Sequence, residues 1–165
     1  MANNQSNPDI EDWMYPYLGG ALDFTTGLRT KVRKSKSHKI GYTITPVVRF
    51  TNVSRTPLGM IDAFCDEYNI NTVMHHRDSG SYFLEISGTT NVKELLESFR
   101  PYILGLTEQV DILLNRIIPA LERGDHREKE GFLSVMKNVE EFREHNNRGK
   151  SSKYTKEFFE DEWDL

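Results

Sequence analysis

The chain has 165 residues, of which 37% are apolar and 28% charged, and a formal net charge of −4. That size and balance suit one domain with a real hydrophobic core. No stretch approaches 18 consecutive apolar residues, which excludes a membrane-spanning helix, and the polar, acidic opening MANNQSNPDIEDW is not a secretory leader. The single cysteine, Cys65, cannot form an intrachain disulfide and has no base near it in sequence. It reads as a buried packing thiol in a reducing, cytoplasmic setting, nucleoid-associated if the host is prokaryotic.

Residues 1–9 read as a disordered lead to a domain spanning 10–148. Asp9 or Asp12 can cap a helix that runs through Trp13, Met14 and Leu18 to about Phe24, with Pro16 in its first turn, where a missing N–H costs little. Thr25, Thr26 and Gly27 break it. Gly19 and Gly20 stand side by side in this helix. Each costs about 1 kcal/mol there relative to alanine, so the pair points to a surface on which another backbone lies close. We expect that backbone to belong to a second copy of the chain.

Two strands follow, over 28–36 and 41–52. Leu28, Thr30 and Val32 alternate with Arg29, Lys31 and Arg33; Tyr42, Ile44, Val48 and Phe50 alternate with Thr43, Thr45, Val47 and Arg49. Period two sends one set to a core and leaves a basic, hydroxylated face open. Pro46 suggests an edge strand or a bulge. A helix is expected over 56–68, with Thr56 as its cap, and a second hairpin over 70–77 and 82–87, in which adjacent His75 and His76 point to opposite faces. Helices over 91–103, 107–122 and 127–146 complete the domain, with a kink at Pro119. His126, between the last two, reads as a loop or cap residue. The segment 149–165 is acidic and aromatic and reads as a flexible tail, with docking onto a basic or apolar surface as the alternative.

The net charge hides a segregation. Between Asp23 and Asp62 there is no Asp or Glu, while Arg29, Lys31, Arg33, Lys34, Lys36, Lys39, Arg49 and Arg55 all lie in that interval. Phosphate binding depends on a local patch and not on the mean charge, so this block points to nucleic acid.

The segment YLGGALDFTTGLRTKVRK resembles the motif and first strand of the LAGLIDADG homing endonucleases. Leu18, Gly20, Leu22 and Asp23 fall where that motif has leucine, glycine, a large apolar residue and its first acid. GYTITPVVRF resembles the second strand, LGMIDAFCDEYNI the helix into the third, and IIPALERGDHREKEGFLSVM the late helix, loop and helix. The pieces occur in the family's order across about residues 10–146. The resemblance implies an α+β fold: an αββαββα core with a four-stranded antiparallel saddle sheet and additional C-terminal helices. It implies a homodimer in which Leu18, Gly19, Gly20 and Leu22 line the two-fold seam, and double-stranded DNA as the partner. Arg29, Lys31, Arg33, Thr43, Thr45 and Arg49 would read base edges in the major groove, and Lys34, Lys36, His38 and Lys39 would reach phosphates. Asn71, His75 and Arg77 are further candidates on the second hairpin.

One departure bears on chemistry. Active members place an acid at the penultimate motif position, from each subunit, to hold divalent metal. Here that position is Thr25, a poor Mg²⁺ ligand, which leaves Asp23 as the catalytic and metal candidate. The expectation is a DNA-binding protein with metal-dependent cleavage weakened or lost. The alternatives are an active endonuclease with Asp23 in an altered Mg²⁺ site, and a transcription regulator reusing the scaffold.

Overall fold

The alternation of the basic segment and of the second hairpin is realised as one sheet. In the computed structural model, which describes residues 12–25, 27–145 and 152–165, helix α1 (Met14–Thr25) leads into β1 (Arg29–Lys34) and β2 (Tyr42–Asn52). Helix α2 (Arg55–Glu67) then connects to β3 (Thr72–His76) and β4 (Tyr82–Ser87), and α3 (Thr89–Phe99) follows. The strands are antiparallel in the order β1-β2-β4-β3. This is the expected αββαββα arrangement. The lead expected over 1–9 lies outside the described residues.

One face of the sheet is dry. Ile44, Val48, Phe50, Leu84 and Ile86 meet Leu58, Ile61, Phe64 and Cys65 of α2 and Val92, Leu95, Leu96 and Phe99 of α3, all buried. Each such side chain contributes about 1.5–3 kcal/mol when fully withdrawn from water. Cys65 is a packing thiol: burial first, and then the charges of Asp62 and Asp66, push it up to about 12. It is protonated at any physiological pH.

Two local expectations change. Pro46 is not on an edge strand, because β2 lies between β1 and β4. The central position tolerates proline because Pro46 sits one residue beyond the β2–β4 ladder, its carbonyl accepting the Gly88 N–H at 3.1 Å. N–H and C=O of one strand residue point to the same side, so the missing donor falls where β4 has already ended. The cap of α2 is Ser54, not Thr56; its side chain accepts from the Thr56 N–H. That leaves Pro57 in the first turn, where its N–H would have had no partner.

The C-terminal half is helical. α4 (Thr107–Ile112) and α5 (Ile118–Arg123) are joined through a single π-turn, Leu113–Ile117, in which the Ile118 N–H reaches back to the Leu113 carbonyl. The widened turn stands immediately before Pro119, whose ring and missing donor do not fit a regular α-turn. Gly124, with φ +82°, ends α5 in the left-handed region, and α6 (Lys129–Glu144) follows after a short 3₁₀ turn.

The tail is not free. Residues Lys156–Trp163 form α7, capped by Thr155, whose hydroxyl accepts from the Phe158 N–H at 3.0 Å. α7 packs on α6. Phe159 is fully buried against Phe132 and Tyr42, and Tyr154 and Trp163 close the cluster. Tyr42 also donates its hydroxyl proton to Glu162 at 3.1 Å. The aromatic spacing of the tail therefore supplies a core face, and the acids supply its solvent side.

Helix α1 crosses this body and buries Leu18 and Leu22 completely. Its two glycines are not equivalent. A Cβ on Gly19 would stand 2.5 Å from the Cβ and 2.8 Å from the carbonyl oxygen of Tyr102, whereas a Cβ on Gly20 would meet nothing within 4 Å. We therefore predict opposite signs. Gly19→Ala should lower the stability of the single chain by about 1–3 kcal/mol through overpacking, and Gly20→Ala should raise it by about 0.5–1 kcal/mol through helix propensity. Chemical denaturation of the two variants checks this.

Candidate nucleic-acid interface

The face of the sheet opposite the core is where the first hairpin sends its odd-numbered residues. Arg29, Lys31 and Arg33 of β1 stand across from Val47, Thr45 and Thr43 of β2. Arg49 of β2 stands across from Glu85 of β4, which in turn faces Val73 of β3, and Thr51, Phe83 and His75 form the next row. The predicted separation of faces therefore holds. His75 lies on the open face and His76 beside Tyr82 on the other.

The open face is not the uniformly basic surface that the acid-free interval suggested. Glu85, from a strand distant in sequence, inserts between two of its cations. Lys31 Nζ donates to Glu85 Oε1 at 2.6 Å, and Arg49 donates to Oε2 from Nη2 at 2.6 Å and from Nε at 3.2 Å. The three side chains are only 15–21% exposed. Burial pushes the Glu85 carboxyl upward, but the hydrogen bonds and charges of Lys31 and Arg49 outweigh it and hold the group below the usual carboxylate range.

Beside this triad lies an aromatic platform. His75 stacks on Phe83 at 4.4 Å between ring centroids. The Arg49 guanidinium sits 4.2 Å and that of Arg77 4.9 Å from the Phe83 centroid, within cation–π range. Arg77 and His75 thus join the first hairpin's residues on one surface. Asn71 does not: it precedes β3, and its backbone N–H is taken by the Asn91 side chain.

The tip of the first hairpin carries the free cations. Arg33, Lys34 and Lys36 are exposed and, among the described residues, make no ion pair. Lys39 is exposed and loosely paired with Glu128 at 3.3 Å. His38 is half-buried, with Nδ1 2.8 Å from Ser35 Oγ and its ring 6.1 Å from that of His126. Burial, followed by the charges of His38 and Arg127, pushes the His126 imidazole below its ordinary value.

Two expectations at α1 are revised. Leu18 and Leu22 are fully buried in the chain's own core, so neither is available to line a seam with a second copy. Gly19 is accounted for by Tyr102 of the same chain. The outward face carries instead Trp13, Tyr17, the bare Gly20 and Phe24, at the spacing of a helix–helix seam. Phe24 is 90% exposed, and Leu104, on the neighbouring turn, 84%. Sequence reading missed this face because Leu18 and Leu22 are the motif's large apolar positions, and the residues of the helix alone do not show which of its sides the chain's own core covers.

Asp23 reaches sideways to the turn after α3. Its Oδ2 accepts from the Leu104 N–H at 2.8 Å and its Oδ1 from the Leu106 N–H at 3.1 Å. The divalent metal implied by the fold finds a poor fit here. Both oxygens of the one carboxylate at this helix end serve backbone donors, and among the described residues no three His, Cys, Asp or Glu side chains converge. Mg²⁺ needs several hard oxygen ligands, and at this helix end, among the described residues, the chain supplies only the Asp23 carboxylate, already held by two backbone N–H groups, with Thr25 at the motif's acid position.

This geometry can be set beside known structures. No family model matches the sequence, and no curated protein matches it by sequence. Solved structures do match in shape. The archaeal intron-encoded homing endonuclease I-Vdi141I, in complex with DNA, superposes with a TM-score of 0.76 at 18% identity, over 94% of this chain and 99% of that one. The homing endonuclease I-CvuI, in complex with a DNA target in the presence of magnesium, gives 0.76 at 15% identity, over 90% of this chain and 91% of that one. The chain has the LAGLIDADG homing endonuclease fold. The meganuclease I-SmaMI, bound to uncleaveable DNA, is matched over 82% of this chain but only 45% of its own, with a TM-score of 0.66 at 14% identity. This chain thus corresponds to a whole I-CvuI or I-Vdi141I chain and to about half of I-SmaMI.

The depressed Glu85 carboxyl makes its contribution to stability pH-dependent. A group whose folded pKa lies below its unfolded value stabilises above the unfolded pKa, about 4.3 for Glu, and loses that contribution as pH falls through the folded value. Glu85→Gln is predicted to cost about 1–3 kcal/mol at pH 7, and the gap to wild type should close on acidification. Urea denaturation at pH 7 and below pH 4 measures it.

Proposed function

We propose that this protein binds double-stranded DNA as a homodimer, with the open sheet face in the major groove and cleavage weakened or lost. The observation that carries the reading is the open face itself: a sheet surface with Lys31 and Arg49 on its strands, His75 and Arg77 on and just beyond the edge strand β3, and exposed Arg33, Lys34 and Lys36 toward the hairpin tip. The division of labour follows from environment. Exposed, unpaired cations at the hairpin tip suit phosphates, where position is loose and charge dominates. Half-buried, hydrogen-bonded cations on the strands suit base edges, where position matters. Thr43 and Thr45 add hydroxyls that both donate and accept.

Support for the dimer comes from two directions. The outward stripe of α1 leaves Trp13, Tyr17 and Phe24 around a bare Gly20, and the chain matches less than half of I-SmaMI. A second copy would both cover that stripe and complete the larger structure. Support for weakened cleavage comes from Thr25 at the motif's acid position and from the engagement of Asp23 by two backbone N–H groups.

Duplexes selected from a random pool should bind with an affinity that falls steeply with salt. Lys34→Ala or Lys36→Ala should each weaken binding across sequences and reduce the log–log salt slope by about 0.9. The selected duplexes should stay intact with Mg²⁺ or Mn²⁺; cleavage abolished by Asp23→Asn would instead establish an active nuclease with an altered site.

The dimer makes a separate prediction. Light scattering at micromolar concentration should report twice the chain mass for wild type and a monomer for Phe24→Glu, since burying that charge at the seam without a partner costs several kcal/mol. A wild-type monomer would overturn the seam.

A further inference from the structure

We propose that Val73, on the outer strand of the open face, is a specificity residue that reads the C5-methyl group of a pyrimidine in the major groove. The inference rests on the reading of that face as a duplex-DNA surface and assigns one base contact within it.

Strand β3 is an edge of the sheet, and Val73 stands across from Glu85, which places it on the open side. Its neighbours Thr72 and Met74 face the other way, with Met74 packed against the core. Of the aliphatic side chains on the open side of the strands, Val47 is fully buried and Val73 is 55% exposed. Edge strands ordinarily turn charged or polar side chains outward, because an exposed apolar one invites unwanted pairing. An apolar group left open here gains from a partner that covers it.

The surroundings leave Val73 open and restrict what can approach it. Glu85 is drawn toward β2 and β1, since its carboxylate accepts from Arg49 and Lys31. His75, on the same side of β3, is stacked on Phe83 of β4. Both polar neighbours thus have partners on other strands, and the valine keeps its exposure. The Arg49 and Arg77 guanidiniums lie against the Phe83 ring, so cations border the patch. An apolar protein surface docked here would strip water from those cations without replacing it. A duplex meets them with phosphates and offers its base edges between.

A base pair presents hydrogen-bonding groups in the major groove and one apolar group, the C5-methyl of thymine. Valine has no side-chain donor or acceptor. Set against an amino group, a carbonyl or a ring nitrogen, it would withdraw that group from water unpaired, which costs binding. Set against the methyl, it removes two apolar surfaces from water. Methylated cytosine carries the same methyl at the same place, so the chemistry recognised is that of a 5-methylpyrimidine, thymine in unmodified DNA. In a two-fold dimer the contact occurs once in each half-site.

The test uses the full chain. Duplexes bound by wild type are selected from a random pool. In the tightest of them each thymine in turn is replaced by deoxyuridine and each cytosine by 5-methyldeoxycytidine. Affinities are measured for wild type and Val73→Ala, and thermal unfolding is recorded for the variant. Uracil keeps every hydrogen-bonding group of thymine and lacks only the methyl. At one position per half-site, thymine-to-uracil exchange should weaken wild type about threefold and Val73→Ala by about 1.5-fold or less. A variant with a weakened sheet would lose affinity for all the duplexes alike, so a loss of sensitivity confined to one position identifies the contact. A cytosine at which methylation strengthens binding about threefold, in wild type alone, would give the same contact to 5-methylcytosine. Val73→Ala as sensitive as wild type, or wild type indifferent to the methyl at every position, would overturn the methyl contact and leave duplex binding standing. The second of these comparisons needs no variant. Wild type that enriches no duplex at all would overturn both.

Discussion

The structure turns on the close approach of α1 to the turn that follows α3. Gly19 lets the helix backbone lie against Tyr102 at a distance no side chain would permit, and four residues later Asp23 ties the Leu104 and Leu106 N–H groups to the helix end. These two contacts fix the rotation of α1. Leu18 and Leu22 are thereby driven into the core, and Trp13, Tyr17, Gly20 and Phe24 are left facing out. The hydrogen bonds also satisfy backbone donors of the turn that leads into α4, so the same carboxylate ties both halves of the domain together.

The sheet obeys a second constraint, which is electrostatic. Gathering basic residues on one face concentrates like charge, and a half-buried cluster of that kind needs a counter-charge. Glu85 supplies it from β4 and divides the surface into a partly neutralised, hydrogen-bonded centre and an exposed, cationic tip. These are two different environments. The fold provides both within one hairpin and its neighbour.

The C-terminal α7 completes the underside of that hairpin. Phe159 and Trp163 pack on Phe132 of α6 and on Tyr42 at the start of β2, while Glu157, Asp161 and Glu162 remain exposed. The helix braces the base of the strand whose far side faces outward, and it leaves the acids away from the core.

Much of this was legible in the residues. Period two separated the faces of β1 and β2, turn residues marked both hairpins, and the order of elements gave the α+β class. These features are local, since strand alternation and helix stripes repeat over a few residues and need no distant partner to be read. Pro46 and the tail misled for the opposite reason. The tolerance of β2 for proline depends on where β4 stops, and the order of α7 depends on an aromatic pocket built by Tyr42 and Phe132. Gly19 and Gly20 looked alike in sequence, and only the position of Tyr102 told them apart. The sequence by itself determined the alternating strands, the basic block and the absence of a carboxylate at Thr25. Tertiary structure alone decided that Glu85 enters the basic face, that Asp23 serves backbone donors and that Leu18 and Leu22 turn inward, because each depends on residues brought together from distant parts of the chain.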